Sequence, residues 1–427
     1  MNNIIEEKVT KVASYNGIDV YNIKTNKFKT NSINIFFHDN LSRENASKNA
    51  LIPAVLRRGC VPFPSFQEIA LYLEGLYGAA FDCGVVKKGE RQIIQFYTEF
   101  VADEYTVEKA DLLENTFNLL IDIITNPVLE SGHFKTEYVA QEKENLKRLI
   151  EGRVNDKVQY AVDKCFEEMC RDERFGIFEY GAVSDLDSID AANLYEHYKT
   201  FLESLPISIY FTGNTSEERI KALTGRLSGI NRNNLKNVDI SKVGKDVKEI
   251  KNITEKMSVN QAKLSLGFRT NTASNDKDYY SLLVYNGILG GGMHSKLFQN
   301  VREKGSLAYY VFSRLEKFKG LMVISSGIES QNKDKAMDII LRQIDDIKNG
   351  EISDYEFDST IKTIETGVKS LRDSQLHIVD FYLSQAVVDT NDSFSTIIEK
   401  VKNVSKEDVI DISKRVVLDT VYFLTGY

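Results

Sequence analysis

Tryptophan is absent from this 427-residue sequence, and cysteine and histidine are scarce, with four and five residues. The cysteines, Cys60, Cys83, Cys165 and Cys170, include no C-x-x-C pair, which excludes a redox dithiol and a cysteine-based zinc module. The start, MNNIIEEKVTKV, lacks the cationic and apolar blocks of a secretory leader, so no disulfide framework is expected. Cys165 and Cys170 also miss the three- or four-residue spacing that stacks side chains on one helix face, and all four cysteines read as buried free thiols. The histidines, His38, His133, His197, His294 and His377, are too dispersed to share adjacent turns of a helix, and neither H-E-x-x-H nor H-x-x-E-H occurs. Each reads as a packed or surface residue. No apolar run approaches the roughly 18 to 20 residues needed to cross a bilayer. The net charge of −8 comes from interspersed acidic and basic residues, with no basic block to neutralise phosphates. A membrane span and a nucleic-acid partner are therefore excluded, and a soluble, intracellular, cytoplasmic protein is expected.

What is present is an ordinary globular composition, 42% apolar and 27% charged, which supports substantial cores. The length allows roughly two to four domains, and the order of elements repeats. In the first half, Ile18 to Phe37 alternates as two antiparallel strands would, and a helix runs from about Ala46 to Arg58 before Gly59. The segment LYLEGL then leads through a glycine turn into the strand RQIIQFYTEF. Ala110 to Thr125 has helical spacing up to Asn126-Pro127, charged amphipathic helices fill Glu137 to Arg171, and ISIYFTGN closes the half as a strand. In the second half, AKLSLGFR, Tyr279 to Leu289, LAYYVFSRL, GLMVISSGI and Lys335 to Lys348 give strand, helix, strand, strand and helix before the closing VYFLTG. The two closing strands end at Gly213 and Gly426, about half the chain apart. This repetition implies an α+β protein of two similar tandem domains, each an antiparallel-rich sheet packed with helices. The expected boundaries are 1–224 and 259–427, joined by the polar stretch 225–258 as a linker.

The stretch Asn286 to Ser313, NGILGGGMHSKLFQNVREKGSLAYYVFS, holds the most chemistry. Gly290, Gly291 and Gly292 lack the Gly-Lys-Ser/Thr ending of a Walker loop and the G-x-G-x-x-G context of a dinucleotide fold. They read as close backbone approach or φ > 0 before Ser295 caps a helix. Ser295 to Lys304 puts Leu297, Phe298 and Val301 on one side of that helix, with Gly305 as its C-cap and Arg302 in its last turn. In the strand that follows, Leu307, Tyr309, Val311 and Ser313 share one face, and Ala308, Tyr310 and Phe312 the other. Two accounts of Arg302 and Tyr309 stay open on these residues. The simpler is a dipole-satisfying arginine beside a packed tyrosine; the other is a pair of hydrogen-bond donors for a ligand. Elsewhere no G-x-S-x-G elbow marks a nucleophile, and the helical carboxylates read as solvated faces.

The string LGGGMHSKLFQNVREKGSLAYYVFSRLEKFKG, Leu289 to Gly320, resembles the second domain of the M16 metallopeptidases, the insulinase and mitochondrial-processing-peptidase family. The duplicated halves extend the resemblance over nearly the whole chain. It implies that the arginine of the RE segment, Arg302, and the tyrosine seven positions later, Tyr309, bind substrate backbone near the scissile bond. The family's first domain carries H-x-x-E-H on a helix that ends shortly before a glycine turn. Aligning that glycine with Gly59 puts the ligand and base positions on Ala50, Pro53 and Ala54. Alanine cannot coordinate zinc and proline cannot act as a base, so neither a metal nor a catalytic residue is expected here. That holds whichever of Glu142, Glu144 and Glu151 stands at the family's distal glutamate. The pattern resembles the non-catalytic member of a bacterial two-subunit M16 peptidase. The resemblance implies an inactive, substrate-binding chain, a peptide substrate, and a partner M16 subunit with H-x-x-E-H that supplies zinc and the general base; whether the isolated chain forms a homodimer stays open. The alternatives are a non-enzymatic scaffold or peptide-holding subunit of a larger assembly and, with least support, hydrolysis by this chain alone through an unrecognised metal site.

Overall fold

The computed structural model describes residues 7–107 and 111–427. They form two compact units that interleave along the chain. The first takes the residues up to Glu151, Ile177–Asp239 and Ile378–Tyr382; the second takes Gly152–Gly176, Ile240–His377 and Leu383–Tyr427.

The first unit opens with strands β1 (Lys8–Tyr15), β2 (Ile18–Lys24) and β3 (Thr30–Asn40), then helices α1 (Ala46–Leu56) and α2 (Phe66–Gly75). Strands β4 (Ala80–Lys88) and β5 (Arg91–Val101) follow, then α3 (Leu112–Thr125), a ribbon of β6 (Leu129–Glu130) and β7 (His133–Phe134), and α4 (Thr136–Gly152). The predicted start of α3 at Ala110 lies outside the described residues. After α5 (Lys157–Met169), which belongs to the second unit, come α6 (Val183–Leu186), α7 (Ala191–Ser204), β8 (Ile207–Gly213) and α8 (Glu217–Thr224). The second unit continues with β9 (Lys251–Lys256), β10 (Ala262–Arg269), α9 (Tyr279–Gly290), β11 (Ala308–Glu316), β12 (Leu321–Ile328) and α10 (Lys333–Lys348). It ends with α11 (Asp354–Leu371), α12 (Gln375–Val387), α13 (Phe394–Lys402), α14 (Lys406–Ser413) and β13 (Val417–Thr425).

The sheets repeat one topology. The first has the order β1-β2-β8-β3-β5-β4 and the second β11-β12-β10-β13-β9. In the first, β3 is antiparallel to β5 and β8, and β2 lies parallel to β8. In the second, β10 is antiparallel to β12 and β13, and β9 lies parallel to β13. The two α+β domains are thus similar down to the one parallel pair in each sheet, with β1 as an addition to the first.

Two expectations change in detail. The strands expected over Ile18 to Phe37 exist as β2 and β3, but they are not partners, because β8 inserts between them. Alternation shows that a segment is half-buried in a sheet, not which strand lies beside it. The hairpin partner of β2 is β1, joined through Asn16 and Gly17 at φ 39° and 80°, the left-handed pair that a tight hairpin turn demands. The stretch 225–258 contains ordered structure: Arg232 is buried and donates to the Leu202 and Leu205 carbonyls at the end of α7, and β9 borders the second sheet. The amphipathic segment Glu137 to Arg171 breaks where Asp156 caps α5, accepting from the Val158 and Gln159 N–H groups. Beyond that cap, Val162, Phe166, Met169 and Phe175 pack with Leu321 and Val323 of the second unit. Gly267 on β10 allows the approach, since a Cβ there would sit 3.0 Å from both the Cys165 and Met169 sulfurs.

The first unit holds two histidines with lowered pKa, His38 buried and His197 half-buried. His38 on β3 hydrogen-bonds Ser208 Oγ at 2.8 Å, and burial, with Arg91 nearby, pushes its pKa down to about 3. His197 on α7 hydrogen-bonds Asn49 Oδ1 at 2.8 Å and is pushed down to about 4 by burial, then by Lys48. Both stay neutral when folded but take a proton near 6.5 when unfolded. Their stabilisation is therefore present above pH 6.5 and is lost as pH falls towards 4 and 3. Each adds at most about 1.4 kcal/mol per pH unit to the slope of stability. Urea denaturation between pH 7 and 4 should show this loss, and His38→Gln should flatten the slope; an unchanged slope would contradict the buried neutral state.

Candidate functional site

Helix α1 carries the positions that would bear a zinc site. It is apolar and buried on nearly every side, with Leu51, Ile52 and Leu56 inaccessible, as expected of a helix without a polar face. Ala50 and Pro53 are buried within it and Ala54 is half-buried, and none offers a side-chain donor atom. The Pro53 carbonyl accepts from the Arg57 N–H at 3.1 Å and the Cys83 thiol at 3.2 Å. Of the three glutamates considered for the distal position, Glu144 and Glu151 are exposed on α4, while Glu142 is buried. Its carboxylate is already neutralised: Arg58, just past α1, pairs with Oε1, and Asn145 Nδ2 donates to Oε2 at 3.1 Å. These groups, with Arg57 and Phe66, line a cleft of about 240 Å³. Zinc does not fit this residue set, because the only buried carboxylate of the three is held by a guanidinium and the helix beside it supplies no ligand. Among the described residues no group of three or more His, Cys, Asp or Glu could hold a metal ion.

The second unit builds a different surface from the stretch 286–313. Close approach, not positive φ, explains its glycines: a Cβ on Gly290 would lie 2.5 Å from the Ser313 nitrogen, and one on Gly287 would lie 2.4 Å from Thr360 Cγ2. These contacts let α9 pack on α11 and on β11, where Ser313 Oγ donates to the Asn286 carbonyl at 3.1 Å. His294 is buried against Thr360 Oγ1 at 2.9 Å, and burial lowers its pKa, as for a packed residue.

The expected short α-helix is mostly a π-helix, Phe298–Glu303, in which the Lys304 N–H donates to the Gln299 carbonyl at 3.0 Å. Single π-turns are often found at functional sites. Gly305 is not its left-handed cap; that conformation falls on Ser306, φ 50°. Glycine is required at 305 because a Cβ would lie 2.7 Å from the Asn300 carbonyl oxygen and 2.8 Å from that of Val301. The wider turn leaves Arg302 with its guanidinium 4.7 Å above the Phe298 ring and its Nε 3.7 Å from Glu303, with 42% of the side chain exposed.

The segment packs directly against β11. There a β-bulge interrupts the ladder with β12: Ala308 pairs with Ile328 and Tyr310 with Gly327, so Tyr309 is the extra residue. The strict alternation expected from sequence fails at this point. Ala308 joins Leu307 and Val311 in the apolar core beneath α9, while Tyr309 stands outside it, 78% exposed. Tyr309 is therefore not a packed residue. The arginine and tyrosine lie on adjoining elements at the free edge of the sheet, since β11 pairs only with β12.

The sequence reading missed the bulge, the π-turn and the Arg58–Glu142 pair. A Gly followed by a polar residue and a run of aromatics is compatible with a regular cap and strand, so no local signal separates the two. Three cysteines match expectation, Cys60, Cys165 and Cys170 being buried free thiols; Cys83 is free but only half-buried.

Residues 188–364 match the family description "Peptidase M16 inactive domain". The chain is 34% identical to the probable inactive metalloprotease YmfF of Bacillus subtilis (strain 168), over 97% of each chain. Among solved structures it resembles a conserved protein from Enterococcus faecalis V583, with TM-score 0.91, 27% identity and 99% of each chain covered. It also shares its fold with a peptidase M16 inactive domain from Pseudomonas fluorescens, with TM-score 0.81, 18% identity and 98% of each chain covered. With a duplicated fold, a zinc helix without ligands and a full-length relative at this identity, the chain belongs to the M16 metallopeptidase family as an inactive homologue.

Proposed function

We propose that this chain is the catalytically inactive, substrate-binding subunit of a heterodimeric M16 zinc peptidase that cleaves peptides. The observation that carries the reading is the contrast between the two units. The arginine and tyrosine of the resemblance are accessible beside a free sheet edge, whereas the positions of the zinc site are filled by Ala50, Pro53 and Ala54. A free edge strand offers backbone N–H and C=O groups to an extended peptide, and Arg302 and Tyr309 can donate to its carbonyls. Such donors orient a peptide without touching the metal that activates water, so positioning and hydrolysis can be divided between two chains. Zinc and the general base would then come from a partner M16 subunit with H-x-x-E-H.

Mixing this chain with a purified M16 homologue that carries H-x-x-E-H tests the proposal. The expected result is a one-to-one complex whose kcat/KM on an unstructured peptide exceeds that of the homologue alone by about tenfold or more. A complex that forms without any gain in cleavage would favour a scaffold role. No complex and no gain would overturn the reading.

A further inference from the structure

The second unit buries a lysine for which the peptidase reading has no use. Lys263 on β10 is only 8% exposed, and its ammonium donates to Gln261 Oε1 at 3.1 Å and lies 5.6 Å from the centre of the Tyr310 ring. Among the described residues no carboxylate pairs with it. Burial lowers its pKa, because neither a neutral amide nor an aromatic face compensates the lost hydration as an anion would. Buried ammonium groups ordinarily have a counter-charge.

The surroundings hold this arrangement in place. Lys263, Gly327 and Tyr310 lie in one row across β10, β12 and β11. A Cβ on Gly327 would sit 2.5 Å from the Tyr310 ring and 2.7 Å from Gln261 Oε1, so the absent side chain makes room for both groups that hold the ammonium. Lys263 lines an open cavity of about 740 Å³, shared with Asn155, Lys157, Asn260 and Gln261. The second lysine, Lys157, is turned to Met257 Sδ at 3.0 Å, and the amides supply neutral donors. Asp156 also lines the cavity, but its carboxylate is engaged in capping α5. With Lys157 and Lys263 positive and Asp156 negative, the lining carries one net positive charge, which a single carboxylate matches.

We propose that this cavity is a carboxylate-binding site in which Lys263, presented by Gln261 and Tyr310, is the principal anchor and Lys157 a secondary one. A free small acid or the terminal carboxylate of a peptide supplies the same chemistry. Only presentation by a peptide rests on the function proposed above; carboxylate binding itself does not.

Calorimetric titration of the full chain with N-acetylglycine, N-acetylglycinamide and a pair of decapeptides with free and amidated C termini tests the site. N-acetylglycine should bind about tenfold or more tightly than its amide. That preference should vanish in Lys263→Met, a change of similar shape. Equal binding of acid and amide, binding of neither, or a preference that survives Lys263→Met would overturn the proposal. Should Lys263→Met fail to fold, Lys157→Met decides: a weakened acid preference supports the site and an unaltered one overturns it. The decapeptides separate the sources. A preference for the free-acid peptide assigns the site to peptide termini, and a preference shown by N-acetylglycine alone assigns it to small acids and leaves the peptidase reading untouched.

Discussion

Replacing Arg302 by alanine is expected to lower partner-dependent peptide cleavage by about 10- to 100-fold while leaving the stability of this chain within about 0.5 kcal/mol of the parent. The first figure follows from a hydrogen bond between a charged donor and a substrate carbonyl, which contributes about 1.5–3 kcal/mol. The second follows from the residue's surroundings. With 42% of its side chain exposed and Glu303 at 3.7 Å, the ion pair it forms contributes little to folding. Tyr309→Phe removes one hydroxyl from a 78% exposed side chain and should cost cleavage about two- to tenfold, again without loss of stability. The measurement is kcat/KM at saturating partner, with sedimentation to verify that the complex still forms. Cleavage within twofold of the parent for Arg302→Ala, in an intact complex, would remove Arg302 from the substrate contacts.

The largest effect on folding should come from Arg269→Ala, expected to destabilise the protein by about 3–5 kcal/mol. Arg269 is 3% exposed; its Nε lies 2.8 Å from Asp419, and its Nη2 lies 2.7 Å from Glu173 and 3.2 Å from the Met169 carbonyl. Burial works against its charge, but the hydrogen bonds it donates to Glu173 and Asp419 outweigh that and raise its pKa. Burial likewise opposes the charge on Glu173, yet Arg269 and Lys319, 2.8 Å away, hold its pKa down to about 2. Deleting the guanidinium takes its cation from the buried Asp419 carboxylate and leaves Glu173 with the ammonium groups of Lys319 and Lys245 alone, and a buried charge without compensation is far costlier than the pair was favourable. The loss is local as well as global, because Glu173 and Met169 belong to the segment 152–176, which crosses from the first half of the sequence into the second unit. Urea denaturation should show the drop, and hydrogen exchange should show α5 opening first. A change below about 1 kcal/mol would mean the network is wet and contributes little.

Much of this protein was legible in its residues. The period of the apolar positions, the glycine and Asn-Pro stops and the repeated order of elements are local properties, and they identified a duplicated α+β chain without neighbours being known. The expectation of a chain without its own zinc site came from residue types alone, since Ala50, Pro53 and Ala54 carry no zinc donor atom in any fold. One local signal went unread: Asn16-Gly17 marks the hairpin that makes β1 a strand.

What only the tertiary structure decided is how distant segments meet. Nothing in Ile18 to Phe37 indicates that β8 enters between its two strands, because side-chain alternation carries no address. Nothing in α5 indicates which sheet it covers; the close approach of Cys165 and Met169 to Gly267 settles that. The same holds at the site. The resemblance named Arg302 and Tyr309, but the π-turn beside the arginine goes with the close approach of Gly305 to the Asn300 and Val301 carbonyls, and the bulge at the tyrosine with the pairing of β11 and β12. Residue types are written in the chain, whereas exposure and register depend on which surfaces pack together, and packing is a property of pairs of segments that no single segment contains.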